Sequence, residues 1–441
     1  MGRRSHTRAL DLWMNGIFVG TWSLHPVQGD VLAYDAGWLA SGQGRPLSLS
    51  LPFLPGNAAH RGPAVRAWFD NLLPDSEAIR TRIARRFQAG STDAFALLAQ
   101  IGRDCVGALQ IVPQGEAPGD VTRVDATALT ESDIAGLLRT TVAPSPLQGP
   151  GDDFRISIAG AQEKTALLQV DGKWCRPHGA TPTTHIFKLP LGLVGNTRLD
   201  LRDSVENEWL CSLVLRAYGM PVAQCAPLRF DDQKVLAVAR FDRAWHDAGR
   251  DAPWLVRLPQ EDMCQATATP PLLKYEADGG PGIGRIMGIL EGSLQRDRDQ
   301  RRFYQAQVLF WMLCATDGHA KNFSLFLRPG GRYEMTPLYD VLSAYPLLGK
   351  GPNRLSPFAA RMAMAVRATN PHWKMREITR RQWLAVGQRH GIVDAAALID
   401  DLVARTPHVI AAASAALPGD FPARVAELIF AGLQGAADKL A

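Results

Sequence analysis

Three residues in the stretch Cys314–Ser343 have types and spacing suited to chemistry: Asp317, Asn322 and Asp340. Two short apolar runs, Phe323–Leu327 and Tyr333–Leu338, flank Arg328-Pro-Gly-Gly-Arg332. That pattern predicts a β-hairpin with a glycine-containing turn. Asn322 stands just before the first strand and Asp340 just after the second. A hairpin returns the chain to its starting end, so these two side chains should lie close together. Asp317 precedes Asn322 by five residues. Phosphoryl transfer by protein kinases needs such a set: an Asp to take the acceptor hydroxyl's proton, an Asn and a second Asp to hold magnesium against the ATP phosphates. No His-Arg precedes Asp317 and no Phe-Gly follows Asp340; His319 and Lys321 fill the interval. A surface hairpin whose Asp and Asn residues only make turns has the same spacing, so the rest of the chain must decide.

The helix ahead of this stretch, Arg298–Ala315, becomes apolar on all sides toward Val308–Cys314, as a helix buried in a large core does. It is expected to deliver Asp317 at its C-terminal end. Upstream, Phe154–Leu168 reads as strand, small-residue turn and strand, with the turn at Ala159-Gly160-Ala161. Such a turn lets backbone N–H groups approach phosphate oxygens, although a plain hairpin looks alike. Thr184–Pro190 is a further strand, with Lys188 between apolar neighbours. Lys188 fits either a lysine gripping the α- and β-phosphates or a snorkelling strand-edge lysine. Ser204–Tyr218 is an amphipathic helix with Val205, Trp209, Leu213 and Ala217 on one stripe. Glu208 borders that stripe and is open to two readings, partner of Lys188 or solvated. Val235–Phe241 is a strand whose exit, Asp242–Trp245, is where a two-lobed kinase binds adenine by backbone groups.

Before this part, residues 1–112 read as an α+β unit. Strands Leu10–Trp13 and Ile17–Leu24 flank Asn15-Gly16, a hairpin signal. Leu47–Pro52 alternates with period two, as a strand would. Helices are expected over Ala64–Leu73, Ser76–Phe87 and Ser91–Gln100, with Ser76 and Ser91 as N-caps, then a strand over Val106–Val112. No catalytic spacing occurs here, and Arg80, Arg82, Arg85 and Arg86 read as a solvated helix face. Residues 113–153 are rich in Pro, Gly and Asp and read as a linker with one helical segment near Ser132–Leu138. Residues 154–245 then form a β-rich part and 246–441 a mostly helical one. In the latter, Lys274–Gly284 is a loop leading into helix Arg285–Glu291. Thr379 and Gln382 form a capping box, and helices cover Asp394–Ala416 and Pro422–Leu440.

With 441 residues, the chain is long enough for about two to four domains. Apolar residues at 46% and charged residues at 21% are ordinary for a globular protein and exclude a disordered or fibrous class. No apolar run reaches the roughly 20 residues that span a bilayer, so no membrane role is expected. Met1–Arg8 is basic with no apolar stretch after it, and no signal peptide is expected. The six cysteines contain no Cys-x-x-Cys pair and several sit among apolar residues, as buried free thiols in a reducing cytoplasm do. A net charge of +5 permits a nucleic-acid contact without demanding one.

Taken in order, the motifs resemble the HipA family, the serine/threonine kinase toxins of type II HipBA toxin–antitoxin pairs. The likeness runs nearly end to end. It rests on Leu47–Pro52, Phe69-Asp-Asn-Leu-Leu-Pro-Asp-Ser76, Ile101-Gly-Arg-Asp104 and Ala159-Gly-Ala-Gln-Glu-Lys164. It continues through Leu258–Gln265, Asp278–Ile283 and Ala315-Thr-Asp-Gly-His-Ala-Lys-Asn-Phe-Ser324. The resemblance implies an α+β fold: a two-lobed, protein-kinase-like body with an N-terminal α+β subdomain and a mostly helical C-terminal lobe. It implies Asp317 as the catalytic Asp. It implies ATP contacts at Ala159, Gly160, Ala161, Gln162, Glu163 and Lys164, at Lys188, and at the hinge residues Ala239, Arg240 and Phe241. Further nucleotide contacts fall on His319, Ala320, Lys321, Asn322, Tyr339 and Asp340, with Asn322 and Asp340 holding Mg2+. Ser157 matches a serine that these kinases autophosphorylate. Ala239 stands where a relative carries Glu, a change that backbone contacts survive.

The family also implies a small HipB-like helix-turn-helix antitoxin, operator DNA reached through that complex, and a cytoplasmic protein substrate, glutamyl-tRNA synthetase. His372-Trp-Lys-Met-Arg376, with Arg380 and Arg381, falls where the family contacts DNA. It departs from the family's sequence, and a solvated helix start is the other reading. Two other functions fit the same residues: a catalytically silent co-repressor and a small-molecule kinase.

Overall fold

The computed structural model describes residues 8–142, 158–160, 162–195, 198–247 and 253–441. The first unit contains β1 (Arg8–Met14), β2 (Ile17–His25), β3 (Gly29–Tyr34), α1 (Ala36–Ala40), β4 (His60–Arg61), α2 (Pro63–Asp70), α3 (Glu77–Arg86), α4 (Ala94–Ile101) and β5 (Leu109–Pro113). Its strands form an antiparallel sheet in the order β4-β3-β2-β1-β5. Asn15 and Gly16 both adopt positive φ, as the tight β1–β2 turn requires. Trp22, Phe69 and Leu97 lie in the core between sheet and helices, where the Trp22 and Phe69 rings stack at 3.9 Å.

Leu47–Pro52 is not a strand. Leu47 and Leu51 are buried, but Ser48 bridges back to Leu51 and the segment turns. Period two here records a turn with two anchors, because Ser48 and Ser50 are held by side-chain and backbone oxygens of residues 261 and 265 instead of by a strand partner. Ser76 caps α3 as expected, but Asp93, not Ser91, caps α4 by accepting from Ala96 N. α4 begins at Ala94, so Asp93 holds the N-cap position and Ser91 lies two residues outside it, its hydroxyl donating to the Asp93 carboxylate.

The second part contains β6 (Ala126–Ala128), α5 (Glu131–Val142), β7 (Lys164–Val170), β8 (Lys173–Pro177), β9 (His185–Lys188), β10 (Gly192–Val194), β11 (Leu199–Leu201), α6 (Ser204–Ala217), β12 (Cys225–Phe230) and β13 (Gln233–Ala239). Among the described residues one sheet runs β12-β13-β9-β7-β8-β6. The 113–153 stretch is thus more than a connector. It supplies an edge strand and α5, whose Ile134 and Leu138 pack on Leu167, Phe187 and Val235. The strand expected from Phe154 lies largely outside the described residues.

The third part holds β14 (Arg243–His246), β15 (Trp254–Arg257), β16 (Gln260–Asp262), α7 (Met263–Ala266), α8 (Ile283–Leu290), α9 (Arg296–Met312), β17 (Ser324–Arg328), β18 (Arg332–Met335), β19 (Arg361–Arg367), β20 (Pro371–Lys374), α10 (Arg380–Arg389), α11 (Ala395–Ala415) and α12 (Ala423–Leu440). The hairpin expected around Arg328–Arg332 is β17–β18, and β16 adds a third strand to it. α9 is buried along nearly its whole apolar end, among α6, α8 and α12. The Thr379–Gln382 capping box opens α10, with Gln382 Oε1 accepting from Thr379 N at 3.0 Å. Cys105, Cys175, Cys211, Cys264 and Cys314 are buried free thiols, and Cys225 is half-buried. Among the described residues no helix is long and apolar enough to cross a membrane.

Candidate active site

A cleft of about 200 Å³ lies between the six-stranded sheet and the hairpin. β9 places Lys188 in it because Ile186 and Lys188 share one face of the strand, with Phe187 buried on the other. α6 brings Glu208 from behind. The chain leaving β18 turns at Asp340, whose φ of 60° is left-handed. An aspartate tolerates that backbone better than most residues, yet at a cost on the order of 1 kcal/mol. Lys188 Nζ donates to Glu208 Oε1 at 2.6 Å and to Asp340 Oδ1 at 2.7 Å. The open question about Glu208 is thereby answered: it is buried and paired. Burial works against the Lys188 charge, but Asp340 and Glu208 outweigh it and its pKa is raised. Asp340 is held well below the usual carboxylate range: burial opposes ionisation, and Lys188 and Lys164 override it. Burial pushes Glu208 upward against the pull of Lys188.

Asp317 follows α9 through a turn at Cys314, whose φ is 50°. Asn322 Nδ2 donates to the Asp317 carbonyl at 2.7 Å, so the loop is braced across its own interval. The same amide N–H lies 3.5 Å from the Asp340 carbonyl. Tyr339 OH donates to Lys321 O at 2.8 Å and lies 2.6 Å from Ser324 Oγ, tying the loop to the hairpin. His319 is buried, and burial lowers its pKa, with Asp317 opposing. Asp317, His319, Asn322, Asp340, Lys188 and Lys164 all line one cleft. A hairpin that merely made turns would not gather them.

Of the 159–164 loop, residues 159, 160, 162 and 164 border the cleft. Lys164 Nζ donates to Ala159 O at 2.6 Å. Burial, and then Lys188, lowers its pKa to about 8. Ala159, Gly160 and Gln162 line the cleft, whereas Glu163 turns outward onto Arg82. Ala161 and Ser157 lie outside the described residues. At the hinge, Ala239 N donates to Gln224 O at 2.7 Å and Arg240 N to Thr184 O at 2.8 Å. Arg240's guanidinium is buried on Asp242 and Asp104. The N–H groups of Ala239 and Arg240 are therefore already used within the protein. Ala320 is fully buried, with its N–H donating to Lys274 O at 3.3 Å.

The first unit contributes to this site, which its sequence did not suggest. Asp75 accepts from Lys274 at 2.8 Å and from Lys321 at 2.7 Å, and its N–H donates to Gly160 O at 3.0 Å. Against burial, Lys321 and Lys274 hold its pKa at about 2. Arg80 pairs with Asp70 at 2.6 Å and Arg82 with Glu163, so these two are not a solvated face. The reason is that α3 lies over the loop. The only signal was Phe69–Ser76, legible as a motif but not as chemistry. Of the stretch around 372–381, Arg380 is held by Leu440 O and Asp400, and Arg376 lies over Phe358.

A magnesium ion fits the donors present. Asn322 spends its N–H on the Asp317 carbonyl, which leaves its Oδ1 to coordinate, and Asp340 keeps one oxygen clear of Lys188. Among the described residues no three His, Cys, Asp or Glu side chains converge as a metal cluster. A hard cation bound by this site would therefore complete its oxygen shell with phosphate.

The HipA N-terminal domain family matches residues 10–112, and the HipA-like C-terminal domain family matches residues 156–410. The chain belongs to the HipA family. This HipA-family chain is 34% identical to "Putative kinase Y4mE" of Sinorhizobium fredii, over 77% of its own length and 78% of that protein's. It is 27% identical to "Serine/threonine-protein kinase toxin HipA" of Shewanella oneidensis, over 76% and 75% of the two chains. Its fold matches a chain of the Shewanella oneidensis toxin–antitoxin complex of HipA, HipB and operator DNA. The TM-score is 0.76 at 22% identity, over 98% of this chain and 97% of that one. At that identity the likeness establishes the fold: a two-lobed kinase-like body with the α+β unit at its N-terminus.

Proposed function

We propose that this HipA-family chain is a Mg-ATP-dependent serine/threonine protein kinase, the toxin of a type II toxin–antitoxin pair. The observation that carries the reading is the Lys188–Glu208–Asp340 cluster facing the braced Asp317–Asn322 loop across one cleft. Lys188 and the 159–164 backbone are suited to hold phosphates, and Ala239–Phe241 to hold adenine. Asn322 Oδ1 and Asp340 would hold Mg2+, which supplies neutralisation of phosphate charge when bound. Asp317 orients the acceptor hydroxyl and takes its proton. Positioning and electrostatics supply most of the catalysis in such a site. Lys188 is held in place by two carboxylates, Glu208 and Asp340, so its ammonium is already positioned in the cleft for a phosphate.

By family likeness the acceptor is a cytoplasmic protein, glutamyl-tRNA synthetase, and Ser157 is the site of self-inhibiting autophosphorylation. The partner is a HipB-like helix-turn-helix antitoxin with operator DNA, named with HipA in the matching solved complex. A silent co-repressor would not need Lys188 buried and doubly paired, which disfavours that reading. The test is transfer from labelled ATP by the wild type and by Asp317→Asn. We expect a folded Asp317→Asn chain that binds nucleotide and transfers no phosphate, since an amide cannot take the proton. Full transfer by Asp317→Asn sinks the assignment.

A further inference from the structure

Tyr275 stands beside the base and is no part of the motifs assigned above. It lies in the segment between α7 and α8, held on each side. Gly280 N donates to Tyr275 O at 2.9 Å, and Ala320 N to Lys274 O at 3.3 Å. Glu276 accepts from Ala365 N at 2.7 Å and from Arg367 Nε at 2.9 Å. The Tyr275 hydroxyl donates to Asp317 Oδ1. Its ring meets His319 edge-on, at 5.0 Å and 87°. Lys274 Nζ lies 5.6 Å from the ring centre and is anchored on Asp75. Burial, and then Asp317, raises the Tyr275 pKa, which keeps the hydroxyl protonated and donating.

The Asp317 side chain is 55% exposed. Left alone, an exposed aspartate samples several rotamers. His319 Nε2 is 3.8 Å from Asp317 Oδ1, too far to hold it by a hydrogen bond. Tyr275 is the side chain that engages Oδ1, and Oδ2 has no hydrogen-bond partner among the described residues. We infer that Tyr275 is a positioning residue: it fixes Asp317 through Oδ1 so that Oδ2 faces the acceptor hydroxyl. The inference rests on Asp317 being the base of a kinase.

The test uses the full chain with labelled ATP, and reads transfer to dephosphorylated casein and to the chain itself. Tyr275→Phe keeps the ring against His319 and loses only the hydroxyl. It should lower kcat about tenfold or more, the usual range for a hydrogen bond to a charged group. KM for ATP and the melting temperature should stay as in wild type. Tyr275→Met, also without a hydroxyl, should show the same kcat loss. Wild-type kcat in Tyr275→Phe overturns the inference. So does a raised kcat, which would make the hydroxyl a plug in the acceptor's place, or a loss shared with ATP KM and melting temperature. Asp317→Asn assayed alongside separates the two levels. If it is inactive while Tyr275→Phe is normal, only the positioning role fails. If it is fully active, or the wild type transfers nothing, the kinase reading fails and this inference with it.

Discussion

Lys188 Nζ and Asp340 Oδ1 are 2.7 Å apart, joining a strand of the sheet to the residue that follows the hairpin. Lys188 is buried and Asp340 is 30% exposed, so Asp340 shares with the buried Glu208 the compensation of the Lys188 charge from the cleft side.

That relationship makes the effect of Asp340→Asn specific. The amide still accepts from Lys188 but carries no charge for a cation. Nucleotide affinity measured with and without magnesium should differ clearly in wild type and hardly at all in the variant. An equal magnesium dependence in both would remove Asp340 from the metal site.

Arg82→Ala should cut the tie between α3 and the 159–164 loop at Glu163. Both side chains are roughly a quarter exposed. The pair is therefore worth about 0–1 kcal/mol. KM for ATP should rise by a factor of about two to five, with kcat nearly unchanged. An unaltered KM would mean that the loop's other hydrogen bonds, among them Asp75 N to Gly160 O and Leu189 N to Glu163 O, hold it without this pair.

Glu261 gives the chain a pH dependence. It lies under the Ser48–Ser50 turn, with Oε1 accepting from Leu49 N at 2.8 Å and Oε2 from Ser48. Burial raises its pKa to about 8, and the neighbouring Asp262 adds to the rise. Tyr34 and Tyr333 also feel its charge. The folded pKa exceeds the unfolded value of about 4.3. Its stabilising contribution is thus complete below about pH 4 and is lost as pH rises through about 8. Asp262, raised by burial to about 6, acts with the same sign. The melting temperature should fall between pH 5 and pH 9, and Glu261→Gln should flatten that fall. Parallel curves for the two chains would exclude Glu261 as the cause.

Ser157 should gain a phosphate on incubation with Mg-ATP. A phosphoryl group brings about −1.5 to −2 charge at pH 7. Set ahead of a loop meant for ATP phosphates, that charge should lower ATP affinity. Intact mass and peptide mapping, followed by nucleotide titration of the modified chain, check both halves. Phosphate absent from Ser157, or unchanged affinity with it present, would end this switch.

Local pattern by itself determined the Asp317–Asn322 interval, the β17–β18 hairpin, Lys188 on its strand and the buried course of α9. Each depends on neighbours within a few residues, where period and turn chemistry are readable. The pairing of Lys188 with Glu208 stayed open because a helix residue bordering an apolar stripe can face inward or outward. Leu47–Pro52 misled for a related reason: a Leu/Ser alternation says nothing of whether a strand partner exists, and here Ser48 is as buried as Leu47 while Leu49 is half-buried. Only the tertiary structure decided that Asp75 would meet Lys274, 199 residues away, and that Tyr275 would reach Asp317 across 42. It also decided that Arg82 would leave solvent for Glu163. Those contacts form between segments far apart in the chain, and no spacing along the sequence encodes the distance between their surfaces.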